Sequence, residues 1–240
     1  MVDRVVRVIT AFPDGVNVLQ LSELALRSQL PLTSAHRLAR QLASHGLLDL
    51  SPGGSVRMGL RLWEIVNRNS AALALRQAAL PFMEDIQYVL KQNVNLAVLD
   101  SGEALFVERL SRRGSVANRA QIAGRLPVHL SSAGLALMSH QPPSVQSGYL
   151  ADIAESSGKA VAENVRLLLS EAKRTGYAEL AGAIDPETWG IAVPVLDGKK
   201  QAVAALGVVV PLQEVQLHAL VPALQTAARG IARRIVDTES

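Results

Sequence analysis

Residues 21–48, LSELALRSQLPLTSAHRLARQLASHGLL, constrain the fold more than any other part of the chain. Leu21, Leu24 and Ala25 fall at i, i+3, i+4, one face of a helix, and Ala35, Leu38, Ala39 and Leu42 repeat that spacing. Pro31 cannot continue the first helix but is tolerated at the start of the second, so residues 29–31 separate the two. The second helix divides by face. Its apolar side can pack on the first, while Thr33, Ser34, His36, Arg37, Arg40 and Gln41 supply groups that reach base edges or phosphates. The pattern predicts a helix-turn-helix whose second helix enters a DNA major groove. An ordinary helical hairpin with a solvated polar face is the alternative.

The following residues favour the first reading. Gly46 stands where a helix C-cap is expected. Residues 47–50 and 56–58 flank a Ser-Pro-Gly-Gly turn, which predicts a β-hairpin wing carrying Arg57. Charge points the same way. Through Arg76 there are nine Arg, no Lys and five acids, whereas the rest has 15 basic and 16 acidic residues, so the excess of a +3 chain lies in this segment.

Composition excludes several classes. With no Cys there are no disulfides, zinc-thiolate sites or thiol nucleophiles, and a reducing cytoplasm is the expected setting. Asp3, Arg4 and Arg7 interrupt the first apolar residues, against a signal peptide, and no apolar run is long enough to span a membrane. Aromatics are 3% against 49% apolar residues, so aliphatic side chains must build the core.

Elsewhere the periodicity predicts a first helix on Val2, Val5, Val6, Ile9 and Phe12. A long helix is expected over 59–79, joining two domains, with Trp63 as a packing anchor and Pro81 near its end. Beyond it come a helix suited by Phe82, Ile86, Val89 and Leu90, strands at 94–100, 104–110 and 115–122, helices at 131–140 and 161–175, strands at 177–184, 191–196 and 203–210, and a closing helix from 217 to 235. This order is an α+β plan with a largely antiparallel sheet.

Residues 124–134, GRLPVHLSSAG, form the most informative stretch of the second half. Ser131 or Ser132 can cap the helix that follows, and a helix N-terminus suits a carboxylate; an ordinary capped helix with no ligand is the alternative. No nucleophile elbow, Walker A or dinucleotide motif occurs, and the five His lack metal-ligand spacing. His129 and Ser131 would share a strand face, but no orienting acid lies near in sequence, so no enzyme, cofactor or metal is expected.

The sequence resembles the isocitrate-lyase-regulator (IclR) family of bacterial transcription factors. The likeness runs through 21–48, then VRMGLRLWEI, GRLPVHLSSAGLALM, GIAVPVLDG and AVAALGV, in order and in register along nearly the whole chain. It implies a winged helix-turn-helix at 1–62, a linker helix at 63–76 and a GAF-like effector domain at 77–240. It also implies a homodimer or dimer of dimers, paired partly through the first helix, on near-palindromic operator DNA. The loop with Arg125, Leu126, His129, Ser131, Ser132 and Ala133 would border the effector pocket. Gly190 stands where the family often has Cys, Gly207 and Val209 where it often has Ser, and Leu180, Ala181 and Gly182 where it often has acids. An apolar wall of Leu180, Gly190, Gly207 and Val209, with Trp189 beside it, favours a bulky or aromatic acid over a short oxoacid, its body lying in space the glycines leave. The implied function is a ligand-responsive regulator, a repressor of a catabolic operon by default. An activator of the same build, or a winged-helix interaction module without effector, are the alternatives.

Overall fold

The computed structural model describes residues 1–13, 15–111, 122–214 and 216–239, in two compact units, Met1–Ala71 and Ala72–Ser240. In the first, helices α1 (Val2–Ile9), α2 (Leu21–Arg27) and α3 (Leu32–Ser44) bury Val8, Leu24, Leu38 and Leu42 against one another. A small antiparallel sheet, β1 (Leu19–Gln20), β2 (Leu48–Leu50) and β3 (Ser55–Met58), adds Leu19, Leu48 and Val56 to that core. The expected hairpin is β2–β3; β1, too short to show a period, pairs with β3 on its other side.

Both helix ends of the helix-turn-helix are closed by the same motif. At the end of α3 the N–H of Leu47 bonds Leu42 O and that of Gly46 bonds Ala43 O, each at 2.9 Å, with Gly46 at φ +71°. At the end of α2 Leu30 N–H reaches Ala25 O and Gln29 N–H reaches Leu26 O, each at 3.0 Å. These are Schellman caps, which need a left-handed residue after the helix. Gly46 adopts it freely, but Gln29 holds φ +52° with a Cβ present. The Gln29 carbonyl is also held by Arg7 Nη2 at 2.5 Å, tying α1 to the turn.

The single helix expected over 59–79 is two. α4 (Leu60–Asn69) ends at Ser70, whose ψ of 112° is extended, and α5 (Ala71–Leu90) starts anew. The run Asn-Arg-Asn-Ser at 67–70 is rich in residues that compete with helix backbone, so the break falls there. Pro81 does not end a helix; it lies inside α5, which burial of Ala78, Ala79, Met83 and Ile86 sustains. Trp63 is not a packing anchor: it is 65% exposed, on a helix that also exposes Leu60, Ile65 and Val66. Val89 is exposed with Tyr88.

The second unit is built on a six-stranded antiparallel sheet in the order β6-β5-β4-β9-β8-β7. Its strands are β4 (Asn93–Asp100), β5 (Glu103–Leu110), β6 (Arg125–Pro127), β7 (Ala178–Ala181), β8 (Thr188–Leu196) and β9 (Ala202–Pro211). The expected strand at 115–122 lies, but for Ile122, outside the described residues. α5 and α9 (Leu217–Glu239) pack one face through Met83, Leu224 and Ile231 on Leu96, Ile191, Val193 and Leu206. α6 (Ser132–Ser139), α7 (Pro143–Ser156) and α8 (Lys159–Thr175) cover the other with Leu135, Leu137, Val165 and Leu169. α7 was not expected; only Leu150 and Ile153 of it are buried, too few to give a period. Glu108 of β5, 3% exposed, pairs with Arg76 of α5 and accepts the Arg109 N–H at 2.7 Å.

The Gln29 cap yields a test. Gln29→Gly relieves a left-handed side chain and keeps both cap bonds, so it should raise stability by up to about 1 kcal/mol in urea unfolding, net of the freer unfolded chain. A loss of stability would mean that the Gln29 side chain stabilises the turn.

Candidate functional site

On the first unit, α3 divides as its spacing requires. Ala35, Leu38, Ala39 and Leu42 are buried. Thr33, Arg37, Arg40 and Gln41 are exposed, Ser34 and His36 half-buried, and all lie away from the core. Arg57 is exposed on β3, across from Asp49 of β2. The exposed guanidinium groups of α3 can bond guanine edges or phosphates bidentately. Leu32, 53% exposed at the start of the same helix, was not singled out from the sequence.

On the second unit, one cavity, about 600 Å³ of empty space with its open mouth included, lies between the sheet and the start of α6. Its floor follows from strand pairing. Leu180, Gly190 and Val209 stand side by side across β7, β8 and β9, and Gly207 stands beside Asn95 of β4. Phe106 of β5 closes one side and the β7–β8 loop, with Ala183, Ile184, Asp185 and Thr188, overhangs the other. That loop is fastened: Thr188 donates its N–H at 3.0 Å and its hydroxyl at 2.9 Å to Asp185 O, while Asp185 Oδ1 accepts Glu187 N–H at 3.1 Å.

The wall is the turn Val128–Leu130 with the first residues of α6. Leu130, Ser131, Ser132 and Ala133 line the cavity. Ser131 is the N-cap, its Oγ accepting Gly134 N–H at 3.2 Å. The N–H groups that open α6, those of Ser132 and Ala133, have no carbonyl a turn back to receive them, so the cavity meets donors and the positive end of a helix.

Eight of the eleven residues expected at this pocket line it: Leu126, Ser131, Ser132, Ala133, Leu180, Gly190, Gly207 and Val209. Three do not. Arg125 pairs with Asp100 and stands 3.7 Å from Glu103, bonds that raise its pKa. His129 places Nδ1 2.7 Å from Tyr149 Oη of α7, and burial lowers its pKa. Trp189 faces the α5–α9 side, and burial raises the pKa of the Glu179 carboxyl on the neighbouring strand. With His129 on Tyr149 and Ser131 on its own helix, these two do not form a nucleophile–base pair. Among the lining residues missed from the sequence were Asn95, Phe106, Asp185 and Thr188. Asn95 was visible as a polar residue inside an apolar strand, NVNLAV; Asp185 and Thr188 carried no such signal.

The glycines do not leave the space expected of them. A Cβ on Gly190 would meet Ser132 Oγ at 2.9 Å, and one on Gly207 would meet Ile191 O at 3.1 Å and Ala192 Cβ at 3.2 Å. Gly190 is there to admit Ser132. Gly190→Ala should therefore cost on the order of 1 kcal/mol and displace the Ser132 hydroxyl. In a Ser132→Ala background the nearest remaining side-chain atom is 3.6 Å away, ordinary contact. Unfolding of both single variants and the double should show a coupling of at least about 0.5 kcal/mol; strict additivity would show that the contact carries no strain.

Among the described residues no group of His, Cys, Asp and Glu could hold a metal ion, and no helix is long and apolar enough to cross a membrane. Two family models match: the IclR helix-turn-helix domain over residues 1–52, and the bacterial transcriptional regulator IclR C-terminal domain over residues 69–235. An IclR homolog from Microbacterium hydrocarbonoxydans, solved in complex with 4-hydroxybenzoate, is 39% identical, with 98% of this chain and 99% of that one covered and a TM-score of 0.89. The HTH-type transcriptional regulator KipR of Bacillus subtilis is 24% identical over 90% of each chain. XynR of Escherichia coli, likewise an HTH-type transcriptional regulator, is 23% identical over 85% of this chain and 83% of its own.

Proposed function

The chain belongs to the IclR family of bacterial transcriptional regulators, and we propose that it is a cytoplasmic repressor of a catabolic operon, released by a small aromatic acid. The winged helix-turn-helix, residues 1–62, reads the operator; residues from 77 bind the effector; 63–76 connect them across the Ser70 break. Repression is the sign that family analogy favours. A ligand that prefers one arrangement of the chain shifts the population able to bind DNA.

The observation that carries the effector class is the contrast across the cavity. The start of α6 with Ser132, the loop residue Asp185 and the apolar side chains of Phe106, Leu180 and Val209 all line it. A carboxylate is drawn to the donors and repelled by Asp185. An aromatic body covers the apolar floor, and a donor at its far end, such as a phenol, bonds Asp185. The Microbacterium homolog holds a molecule of this description, 4-hydroxybenzoate. A thermal-shift panel of glyoxylate, pyruvate, benzoate, 4-hydroxybenzoate and 4-methoxybenzoate tests this. 4-Hydroxybenzoate should shift the melting temperature most, and Asp185→Ala should erase its advantage over benzoate, worth roughly 1 kcal/mol. A strong response to the two oxoacids and none to the benzoates would overturn the reading.

The proposed DNA contact is Arg37, with Ser34 and His36, at base edges, Thr33, Arg40 and Gln41 beside them, and Arg57 of the wing on phosphate. Arg37→Ala should cost about 1–3 kcal/mol and relax sequence preference at one position. Arg57→Ala should weaken all sequences alike and flatten the salt dependence by about one. The operator is a near-palindrome bound by a homodimer or a dimer of dimers. The exposed apolar faces of α1 (Val2, Val6) and α4 (Trp63, Val66) support pairing of N-terminal units. A monomer on operator at saturation, by sedimentation, would rule this out.

A further inference from the structure

Tyr149 does not line the cavity, yet it holds the wall of it. It comes from α7, and its hydroxyl meets His129 twice: it accepts the backbone N–H at 3.2 Å and lies 2.7 Å from Nδ1. The rings are tilted at 42° with centroids 6.4 Å apart, so the contact is made by the hydroxyl and not by stacking. We assign the arrangement in which no two donors face one oxygen. The hydroxyl oxygen accepts the main-chain N–H, its proton goes to Nδ1, and the imidazole keeps its own proton on Nε2.

The segment so held has little other freedom. Val128 is fully buried, and its Cα lies 2.6 Å from where a Gly134 Cβ would stand, so the turn is pressed against the first turn of α6. On its far side the turn supplies Leu130 and Ser131 to the cavity, followed by Ser132 and Ala133. Tyr149 is thus the outer jaw of a clamp whose inner jaw is Gly134.

We infer that Tyr149 is a positioning residue for the effector pocket, and that its bond to neutral His129 makes the pocket wall loosen in acid. The inference rests on the proposed effector site. Protonated at Nδ1, His129 would aim two donors at one oxygen and leave the tyrosine proton without its acceptor. Burial adds to this cost and holds the His129 pKa below its ordinary value of 6.5. The bond is therefore present above about pH 6.5 and lost as pH falls through the lowered value. Among the described residues, the charged groups on the neighbouring elements are Arg125 of β6, bound to Asp100 and Glu103 of the β4–β5 hairpin, and Asp152, one turn further along α7; α6 carries none. Burial is also the main cause of the raised Tyr149 pKa, with Glu103 adding to it and the His129 N–H lowering it, so the phenol stays protonated throughout this range.

Tyr149→Phe in the full chain removes the hydroxyl and keeps the ring. Hydrogen exchange at residues 129–135, corrected for intrinsic rates, reads the clamp without any ligand. Wild type should be protected at pH 8 and lose protection toward pH 5, whereas Tyr149→Phe should exchange about fivefold to tenfold faster at pH 8 and show no such pH step. Unchanged protection in the variant, or the same pH step in both proteins, would overturn the inference. Calorimetry with 4-hydroxybenzoate adds the functional readout. Its affinity should fall about fivefold to tenfold in Tyr149→Phe at pH 8, and only wild type should weaken further on acidification beyond what protonation of the acid itself causes. If wild type binds none of the panel acids at any pH, the effector assignment fails, while the exchange measurement still decides the clamp.

Discussion

The close approach of the first turn of α6 to its surroundings is the constraint on which the effector unit depends. Val128 lies where a side chain on Gly134 would be, and Ser132 lies where one on Gly190 would be. Two missing Cβ atoms let a helix start sit directly on a β-sheet. A helix N-terminus that deep is costly unless its donors are satisfied. Ser131 satisfies one of them from within, by capping Gly134. The other donors face a cavity floored by aliphatic and aromatic side chains. Packing that brings the helix this close thus creates the polarity of the site, and it is this polarity that the proposed effector would use.

What could be read from the sequence follows from which interactions are periodic. The helix-turn-helix was legible because Leu24, Leu38 and Leu42 repeat with the helical period, and because Pro31 and Gly46 act through fixed backbone geometry. The Ser70 break was less so: the apolar period continues through Leu73 and Ala74, and only the weak helix preference of residues 67–70 opposes it. α7 was invisible because it lies on the outside of a layer and buries two large side chains. In the pocket, two of the three residues that miss it do so by strand parity, while His129 turns to Tyr149. Trp189 and Gly190 are adjacent on β8, so they cannot face the same side, and Arg125 and Leu126 are related in the same way on β6. Alternation alone would have removed Trp189 and Arg125. Asp185 had no such signature, because loop position is set by tertiary contacts such as the Thr188 bonds that fix it.

The role of the glycines shows why a substitution pattern does not translate directly into cavity shape. Replacing a larger residue by Gly at 190 suggests added room for a ligand. The room is taken by Ser132, which moves a polar group inward and leaves the net gain as chemistry rather than volume. Gly207 similarly lies within contact of its neighbouring strand. The apolar body of the proposed effector must then rest on Phe106, Leu180 and Val209, not over the glycines.

Selectivity in such a pocket comes more from its ends than from its floor. Apolar contact discriminates weakly, by roughly 1–3 kcal/mol per added or missing methylene. A buried polar group left without its partner costs about as much, and it does so for one atom in one place. The α6 donors on the wall and Asp185 on the loop, half-buried with Oδ1 bonded to the Glu187 N–H, are two polar places of opposite electrical sense. A short oxoacid satisfies the donors but reaches neither the floor nor the loop. A plain benzoate covers the floor but offers the carboxylate of Asp185 nothing to accept. The proposed effector, with an acid at one end and a donor at the other, satisfies both.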